Sequence, residues 1–496
     1  VHGEYVDALA YNGGSKNYKQ VHFSSPDQTS FKSFRQPSSE QTYFYLLSCY
    51  YISKNRNPSY LQVLGLSFRF YDAQRSGKLP SSNRISWRGD SFLSDCNAVM
   101  SGGFFDAGDH LKLLFPLSTS LAFLGLATSE FKQGMDAAGQ LKYARATVRW
   151  GADFLMKAHI APNQFIGQVG DPGPDHAYWG RPEQQTGSRP CYTWDMSSQP
   201  ASDLASAAAS ALAATSLVFR SSDPTYADKA LKHAKELYAA AAAKEGKYSD
   251  NYSSVTYVYS SYTYRDDLAL AATMLWKATG DAKYVEQAKA QRTKSDFSVE
   301  SYLNWDAVGP LSAILLKCGG QETSESAAHI SKFLSDWQNC NSNGYKKTPK
   351  GLCVPPLGGW GNLRHATSAA FGAVLYANCE SDGAKRSAAI NFAKTQVDYA
   401  LGSSGRSFVV GYGTNPPVRP HHRAASCPSP MSTTCDWNNY NSGDPNPQII
   451  KGALVGGPGG PGDDYVDSRQ DYRSNEVAVD FNAGFTGALA GLIKLQ

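Results

Sequence analysis

Several things are scarce in this chain of 496 residues, and each scarcity closes off a class of function. Charged residues make up only 18%, the net charge is +4, and no basic run occurs. Neither a nucleic-acid backbone nor an anionic membrane surface is therefore an expected partner. No apolar stretch reaches the roughly 20 residues that a transmembrane helix needs. Val1-His2-Gly3-Glu4 lacks the charged and apolar regions of a signal peptide, so a secreted form of this sequence would already have lost its signal. None of the nine cysteines lies in a CxxC pair, which argues against a zinc ribbon. Strand signals are few: Ser253–Tyr264 and Phe408–Tyr412 are the runs that read as β.

What is present points elsewhere. Aromatic residues reach 12%, with 29 tyrosines, favouring a surface that stacks on something flat and uncharged. Cys340 with Cys353, and Cys427 with Cys435, are separated by Gly- and Pro-containing loops that can close small disulfide rings, as expected in an oxidising compartment. The odd count leaves at least one thiol over.

Residues 1–57 are polar, rich in Ser, Tyr, Asn and Lys, and show no sustained period of 3.6, so they read as a poorly structured extension or insertion. From Tyr60 apolar residues recur at helical spacing. The runs lie near 59–74, 110–127, 137–158, 202–219, 224–243, 264–279, 281–292, 306–318, 323–338, 364–379, 383–400 and 476–494. Ser202-Asp203 and Asp223-Pro224 read as helix starts. Twelve helices joined by alternating short and long connections suggest helix pairs arranged in a ring, with Ala-rich faces permitting close approach. The long connections 159–201, 244–263, 339–363 and 401–475 hold most of the Trp, His, Gly and Pro, and should share one functional face.

The densest chemistry is SGGFFDAGDH, Ser101–His110, where Asp106 and Asp109 sit in a Gly-rich, aromatic-flanked segment just before an apolar run. It reads equally as an Asp-rich turn or calcium loop and as part of an active site at a helix mouth. Near the other end, Asp467 and Glu476 are interleaved with Tyr465 and Tyr472, and the pattern places Glu476 at the opening of the last helix. A glutamate there is ordinarily a partner of the helix dipole, which lowers its pKa. A general-acid role then requires burial or neighbouring carboxylates to raise it. Carboxyls from both ends of a chain, on loops with aromatics, suit glycoside hydrolysis, where one protonates the leaving oxygen and another activates water.

Six fragments in order carry a resemblance: YDAQRSGKLPSSNRISWRGDS (Tyr71–Ser91), GGFFDAGDH, DHAYWGRPE (Asp175–Glu183), WGNLRHA (Trp360–Ala366), SFVVGYGTNPPVRPHHR (Ser407–Arg423) and Tyr465–Phe485. Over about Tyr60–Gln496 the chain resembles glycoside hydrolase family nine, the cellulases. The resemblance implies an all-α (α/α)6 barrel over residues 58–496 and inverting endo-hydrolysis of β-1,4-glucans. It implies Asp109 as catalytic base, Asp106 as its partner in holding water, Glu476 as general acid and Asp467 as a supporting acid of the same signature. His176, Trp360, His421 and Arg423 match sugar-contact positions. A secreted monomer acting on a β-1,4-glucan is expected, with no cofactor needed for the chemistry. Two rivals are a binding protein that kept the groove and lost catalysis, and an exo-acting relative.

Two departures from the family pattern stand out. Tyr262 and Thr263 precede Asp266-Asp267 where the family often has Ser and then Gly or Asn before a calcium-binding pair. A structural calcium at Asp266, Asp267 and Asp306 is the expectation carried forward. Phe481 stands where a Tyr is common, and its missing hydroxyl should weaken sugar contact or water positioning. Finally, Tyr60–Tyr71 fits the family's opening helix without a break, while Tyr5–Ala10 fits its first half. Continuity favours Tyr60–Tyr71, leaving residues 1–57 outside the barrel.

Overall fold

The computed structural model describes residues 57–496. Twelve helices of ten or more residues follow one another: α1 Pro58–Gln74, α2 Leu114–Glu130, α3 Leu141–Ala158, α4 Ser202–Phe219, α5 Pro224–Ala243, α6 Arg265–Thr279, α7 Ala282–Arg292, α8 Gly309–Cys318, α9 Ser324–Asn339, α10 Asn362–Cys379, α11 Gly383–Asp398 and α12 Val479–Leu495. The even-numbered helices pack in the cycle α2, α4, α6, α8, α10, α12 and back to α2, which closes an inner ring of six. The odd-numbered helices lie outside, each against one or two of the inner ones. This is the expected (α/α)6 barrel.

The sequence explains the sorting. Inner helices are apolar nearly all round: α2 buries everything from Leu114 to Thr128, and α4 buries all but one of its 18 residues. Outer helices carry an apolar stripe and a wet face, as in α5, where Ala227, Ala230, Leu231, Ala234, Leu237 and Tyr238 face inward. Each large apolar side chain buried this way contributes about 1.5–3 kcal/mol. Small residues set the spacing. A methyl on Gly125 of α2 would stand 2.8 Å from the Ala214 Cβ of α4, so the two backbones approach as only Ala and Gly allow. By length and composition α4 could cross a membrane, contrary to the expectation that no stretch could; it is 94% buried among its neighbours instead.

Alternation of inner and outer helices has a topological consequence. Every connection from an outer helix to the next inner one emerges at the same end of the barrel: residues 75–113, 159–201, 244–264, 293–308, 340–361 and 399–478. The inner-to-outer returns at the opposite end run from two residues between α6 and α7 and three between α10 and α11 to ten between α2 and α3, where a six-residue helix, Lys132–Ala137, intervenes. Four of the six long connections match those expected, and 75–113 and 293–308 join them.

Asp223 caps α5, accepting from Tyr226 N at 3.2 Å, with Pro224 first in the helix. Ser202 and Asp203 do not cap α4; they lie inside its first turn, and Ala201 is the boundary. Ser253–Val258 is a short helix rather than a strand, and Phe408–Tyr412 makes one isolated bridge, Val409 to Leu454. The β-structure lies elsewhere. In β1 Lys112–Leu113, β2 His159–Ala161, β3 Gln164–Val169 and β4 Cys191–Asp195, β4 pairs along β3 while β1 and β2 share its other edge, all antiparallel. β5 Lys346–Lys347 and β6 Cys353–Val354 form a small ribbon.

The expected Cys340–Cys353 and Cys427–Cys435 disulfides are present, joined by Cys96–Cys191 and Cys318–Cys379. Disulfides typically contribute about 2–4 kcal/mol each. α1 runs unbroken from Pro58 to Gln74, so Tyr60–Tyr71 do supply the opening helix. The remaining expectations for residues 1–56, Cys49 included, lie outside the described residues.

Candidate active site

At the end of the barrel where the long connections emerge lies a groove of about 700 Å³. Asp106, Asp109, His176, Trp360, His421, Arg423 and Glu476 all line it, residues drawn from across more than three hundred positions of sequence. Two loops are locked together to build it. Gly108 packs so tightly that a Cβ there would strike the His421 carbonyl, and Arg423 N donates to Gly108 O at 3.0 Å. Gly102 and Gly103 have φ of 117° and 74°, the turn that glycine permits. Gln74, fully buried, donates to Ala107 O at 2.6 Å and accepts from His422 Nε2 at 2.9 Å. Because Ala425 N donates to His422 Nδ1, the His422 proton sits on Nε2 and the ring is neutral. Burial pushes its pKa down to about 3, in agreement.

The carboxylates in the groove differ in environment. Burial pushes Asp109 up, but the His176 hydrogen bond (Nε2 to Oδ2, 3.2 Å) and the Arg423 guanidinium outweigh it and hold Asp109 below the usual carboxylate range. That same hydrogen bond raises His176. Asp106 is buried and pushed well above its ordinary value by desolvation and then by Asp109 and Asp480, although Tyr259 donates to its Oδ2 at 2.8 Å. One oxygen of each, Asp106 Oδ1 and Asp109 Oδ1, has no protein hydrogen-bond partner.

Glu476 is placed differently from expectation. It does not open α12: it follows the four-residue helix Tyr472–Asn475 in extended conformation, and α12 begins at Val479. Its backbone pairs in parallel with His421. The dipole objection to an acid role therefore falls away, and the residue in the first turn of α12 is Asp480. Burial, with Asp109 and Asp480 nearby, pushes Glu476 up to about 7 even though Trp360 Nε1 donates to it at 2.9 Å.

Around these acids stand groups that hold shape. Arg423 pairs with buried Asp175 at 2.7 Å. His421 Nδ1 donates to Arg469 O at 2.7 Å, leaving Nε2 unprotonated on a ring whose pKa burial lowers to about 4. Trp179, Trp437 and Tyr440 form one aromatic wall, with Tyr440 4.7 Å and Trp437 5.6 Å from Trp179 between ring centroids. Trp360 lies 5.2 Å from Tyr472 and is 40% exposed. Phe481 is buried at the groove floor with Ala107 and Ala478.

Asp467 stands apart from the groove wall. Its oxygens accept from Val418 N at 2.8 Å and Arg419 N at 2.9 Å, which anchors the loop leading to His421. Several groove residues escaped sequence reasoning, among them Tyr257, Tyr259, Trp305, Arg364, Trp437 and Tyr440. Arg364 lies within a quoted fragment, and so does its ion-pair partner at 3.1 Å, Asp480, one of four acids in Tyr465–Phe485. Tyr259 was hidden in the run read as a strand, and Trp305 in a connection judged short.

Asp266, Asp267 and Asp306 belong to a separate acidic cluster with Asp203, itself unanticipated. Burial raises Asp203 to about 7, Asp266 to about 6 and Asp306 to about 8, and Asp267 rises well above the ordinary value, helped by its carboxylate neighbours. Arg265, next in sequence, turns instead to Glu245 and Asp296. Asp266 Oδ1 and Asp267 Oδ2 have no protein hydrogen-bond partner, and Tyr262 N donates to both Asp306 oxygens at 3.1 Å. Oxygen donors without a cationic partner suit a hard cation chemically, but among the described residues no three of these four carboxyls bring oxygens within 4.8 Å of one another, so an ion would have to draw them together. Tyr262 itself is 72% exposed and offers the cluster its backbone rather than its hydroxyl.

A helical barrel with an ionised and a protonated carboxyl facing one aromatic groove has the apparatus for acid–base cleavage of a glycosidic bond. The sequence profile of glycosyl hydrolase family 9 matches residues 60–489. Endoglucanase B of Cellulomonas fimi is 39% identical over 453 residues, which is 88% of this chain and 42% of that one. The structure of an endoglucanase from the termite Nasutitermes takasagoensis superposes with a TM-score of 0.80 at 43% identity, covering 88% of this chain and 99% of that chain. The cellulase Cel9M of C. cellulolyticum, solved with cellobiose, gives 0.79 at 34% identity, covering 88% and 98%. The chain belongs to glycosyl hydrolase family 9. It spans less than half of the Cellulomonas relative's length and nearly all of the termite and Cel9M chains.

Proposed function

We propose that the protein is an inverting endo-β-1,4-glucanase. The observation that carries this reading is the opposed protonation of two carboxyls lining one groove: Asp109 held low, Glu476 pushed up to about 7. Near pH 6 the first is a base and the second an acid. A glucan chain lies along the aromatic wall, its pyranose faces stacked on exposed rings such as Trp360 and Trp437. Glu476 donates its proton to the glycosidic oxygen as the C1–O bond breaks. A water held between the free oxygens of Asp106 and Asp109 attacks C1 from the opposite face, and its proton passes to Asp109. The product anomer is inverted, and proton exchange with solvent resets both carboxyls.

In this reading His421 Nε2 accepts from a sugar hydroxyl, and Arg423, His176 and Trp360 complete the sugar contacts. Asp467 supports the loop without joining the chemistry. The Asp266, Asp267 and Asp306 cluster, with Asp203, holds a structural calcium whose charge offsets the carboxylates. The remaining oxygens come from backbone carbonyls and water, since calcium takes six or more. Four disulfides support function in an oxidising compartment, and we read the protein as secreted.

The decisive experiment is proton NMR of a fresh cello-oligosaccharide digest. The inverted anomer should appear first, and appearance of the retained anomer would defeat the mechanism. Incubation with carboxymethylcellulose tests the endo mode: viscosity should fall well ahead of reducing-end release. Parallel change would indicate an exo-acting enzyme, and no change a binding protein.

A further inference from the structure

Away from the groove, where α3 ends, two histidines and a glutamate from distant parts of the chain meet. We propose that His159, His233 and Glu236 form a binding site for a divalent transition metal, with Zn²⁺ the ion that best suits the donors. His159 is the first residue after α3 and opens β2. His233 and Glu236 lie three apart on α5, so their side chains share one face of the helix. The Nδ1 atoms of His159 and His233 are 2.9 Å apart. One donor atom from each of the three residues lies within 4.8 Å of the other two.

Those distances are close to what an ion needs. Donors around a tetrahedral zinc, with bonds of about 2.0–2.1 Å, are roughly 3.3 Å from one another. The imidazoles must part by a few tenths of an ångström and the carboxylate must swing inward. Glu236 has the freedom to do so, since its ion pair with Lys232 is a loose 3.9 Å contact at the surface.

The environment of His159 also fits. The residue is buried, and its Nε2 faces Pro162 O at 3.4 Å. A proton held on Nε2 by that carbonyl leaves Nδ1 with a lone pair aimed at His233. A backbone carbonyl commonly orients a metal-binding imidazole in this way. Without metal, one Nδ1 must donate to the other. On binding, that hydrogen bond is exchanged for two nitrogen–metal bonds, and the His233 proton moves from Nδ1 to Nε2.

Two imidazoles and one carboxylate do not suit calcium or magnesium, which take all-oxygen shells. They suit zinc, copper and nickel. Three protein donors leave a coordination position for water. Lys229 and Lys232 face His233 and oppose a cation, while Glu236 offsets part of that charge. The ion would tie α5 to the α3–β2 junction across 74 residues of sequence. Because the unfolded chain lacks the site, binding would raise the melting temperature by mass action.

The test uses the full chain, freed of metal with chelator and dialysed, then titrated with ZnCl₂ by calorimetry and followed by thermal unfolding. Wild type should bind one equivalent at this site and melt at higher temperature. His233→Ala and Glu236→Gln should each weaken that binding, His233→Ala by at least about 100-fold, and abolish the rise in melting temperature while leaving glucan hydrolysis unchanged. Zinc held in the groove by Asp109, Asp175 and His176 is distinguished with His176→Asn, which removes only that equivalent. As a second readout, Co²⁺ should give the visible absorption of a tetrahedral site in wild type and not in His233→Ala. The proposal is overturned if wild type binds no Zn²⁺ at this site, or if His233→Ala matches wild type in isotherm and melting.

Discussion

The groove and the Asp203–Asp306 cluster are both built from buried and half-buried carboxyls at the same end of the barrel, yet their protonation diverges. In the groove each acid has its own neighbours: His176 and Arg423 beside Asp109, Arg364 and Trp360 beside Glu476, Tyr259 on Asp106. Burial raises all of them, and the partners pull some back, so an ionised and a protonated carboxyl face the same space. In the cluster the counterweights are the Ser261 side chain and backbone N–H groups, with no cationic side chain, and all four acids move up together. Desolvation is common to both regions. What separates the two regions is the uneven placement of positive partners.

The harshest way to break the comparison is to remove a working group. Glu476→Gln and Asp109→Asn should each lower kcat on the order of 10²–10⁴-fold, with the fold intact by circular dichroism. Residual activity near wild type in either would mean that the split in protonation is not what drives the reaction.

The next step alters the partners alone. With Glu476 near 7 and Asp109 low, activity should fall as pH rises through about 7 and again at acid pH as Asp109 protonates. Asp480 raises Glu476, so Asp480→Asn should move the alkaline limb to lower pH by about one unit. His176 lowers Asp109, so His176→Asn should move the acid limb to higher pH by a similar amount. The pH–rate profile of each variant checks the direction.

For the cluster the readout is stability. Its folded pKa values lie above the unfolded value near 4, so between about pH 4 and 8 the folded state binds more protons than the unfolded. Stability in chelator should therefore be greatest on the acid side and decline as pH rises through about 6–8. Calcium should flatten that decline. Asp306→Asn should lessen both the decline and the calcium response, by a shift on the order of a few degrees in Tm. A Tm in chelator that rises over this window would count against the four acids acting as one cluster.

The smallest effect separates hydrogen bonding from stacking. Trp360→Phe keeps a ring against Tyr472 and loses the donor to Glu476, a bond that lowers its pKa. The alkaline limb should move up by a few tenths of a unit, opposite in direction to Asp480→Asn.

Legibility in the sequence followed the range of the forces involved. The runs that became α5, α9 and α11 announce themselves because a helix is set by neighbours three and four residues away and by a cap such as Asp223. The run Ser253–Tyr264 misled because its alternating Val and Tyr read as a half-buried strand, whereas Val255 is buried in a short helix and Tyr257 faces the groove. Glu476 was legible as an acid and illegible as to position: nothing local marks that the last helix waits until Val479.

By itself the sequence determined the twelve helices and the two small disulfide rings, since each rests on side-chain type and short spacing. Only the tertiary structure decided which acids share a wall and which charge each bears. Trp360 reaches Glu476 across 116 residues and His176 reaches Asp109 across 67. Protonation depends on desolvation and on charges a few ångströms away through space, and neither quantity exists until the loops of six helix pairs meet at one end of the barrel.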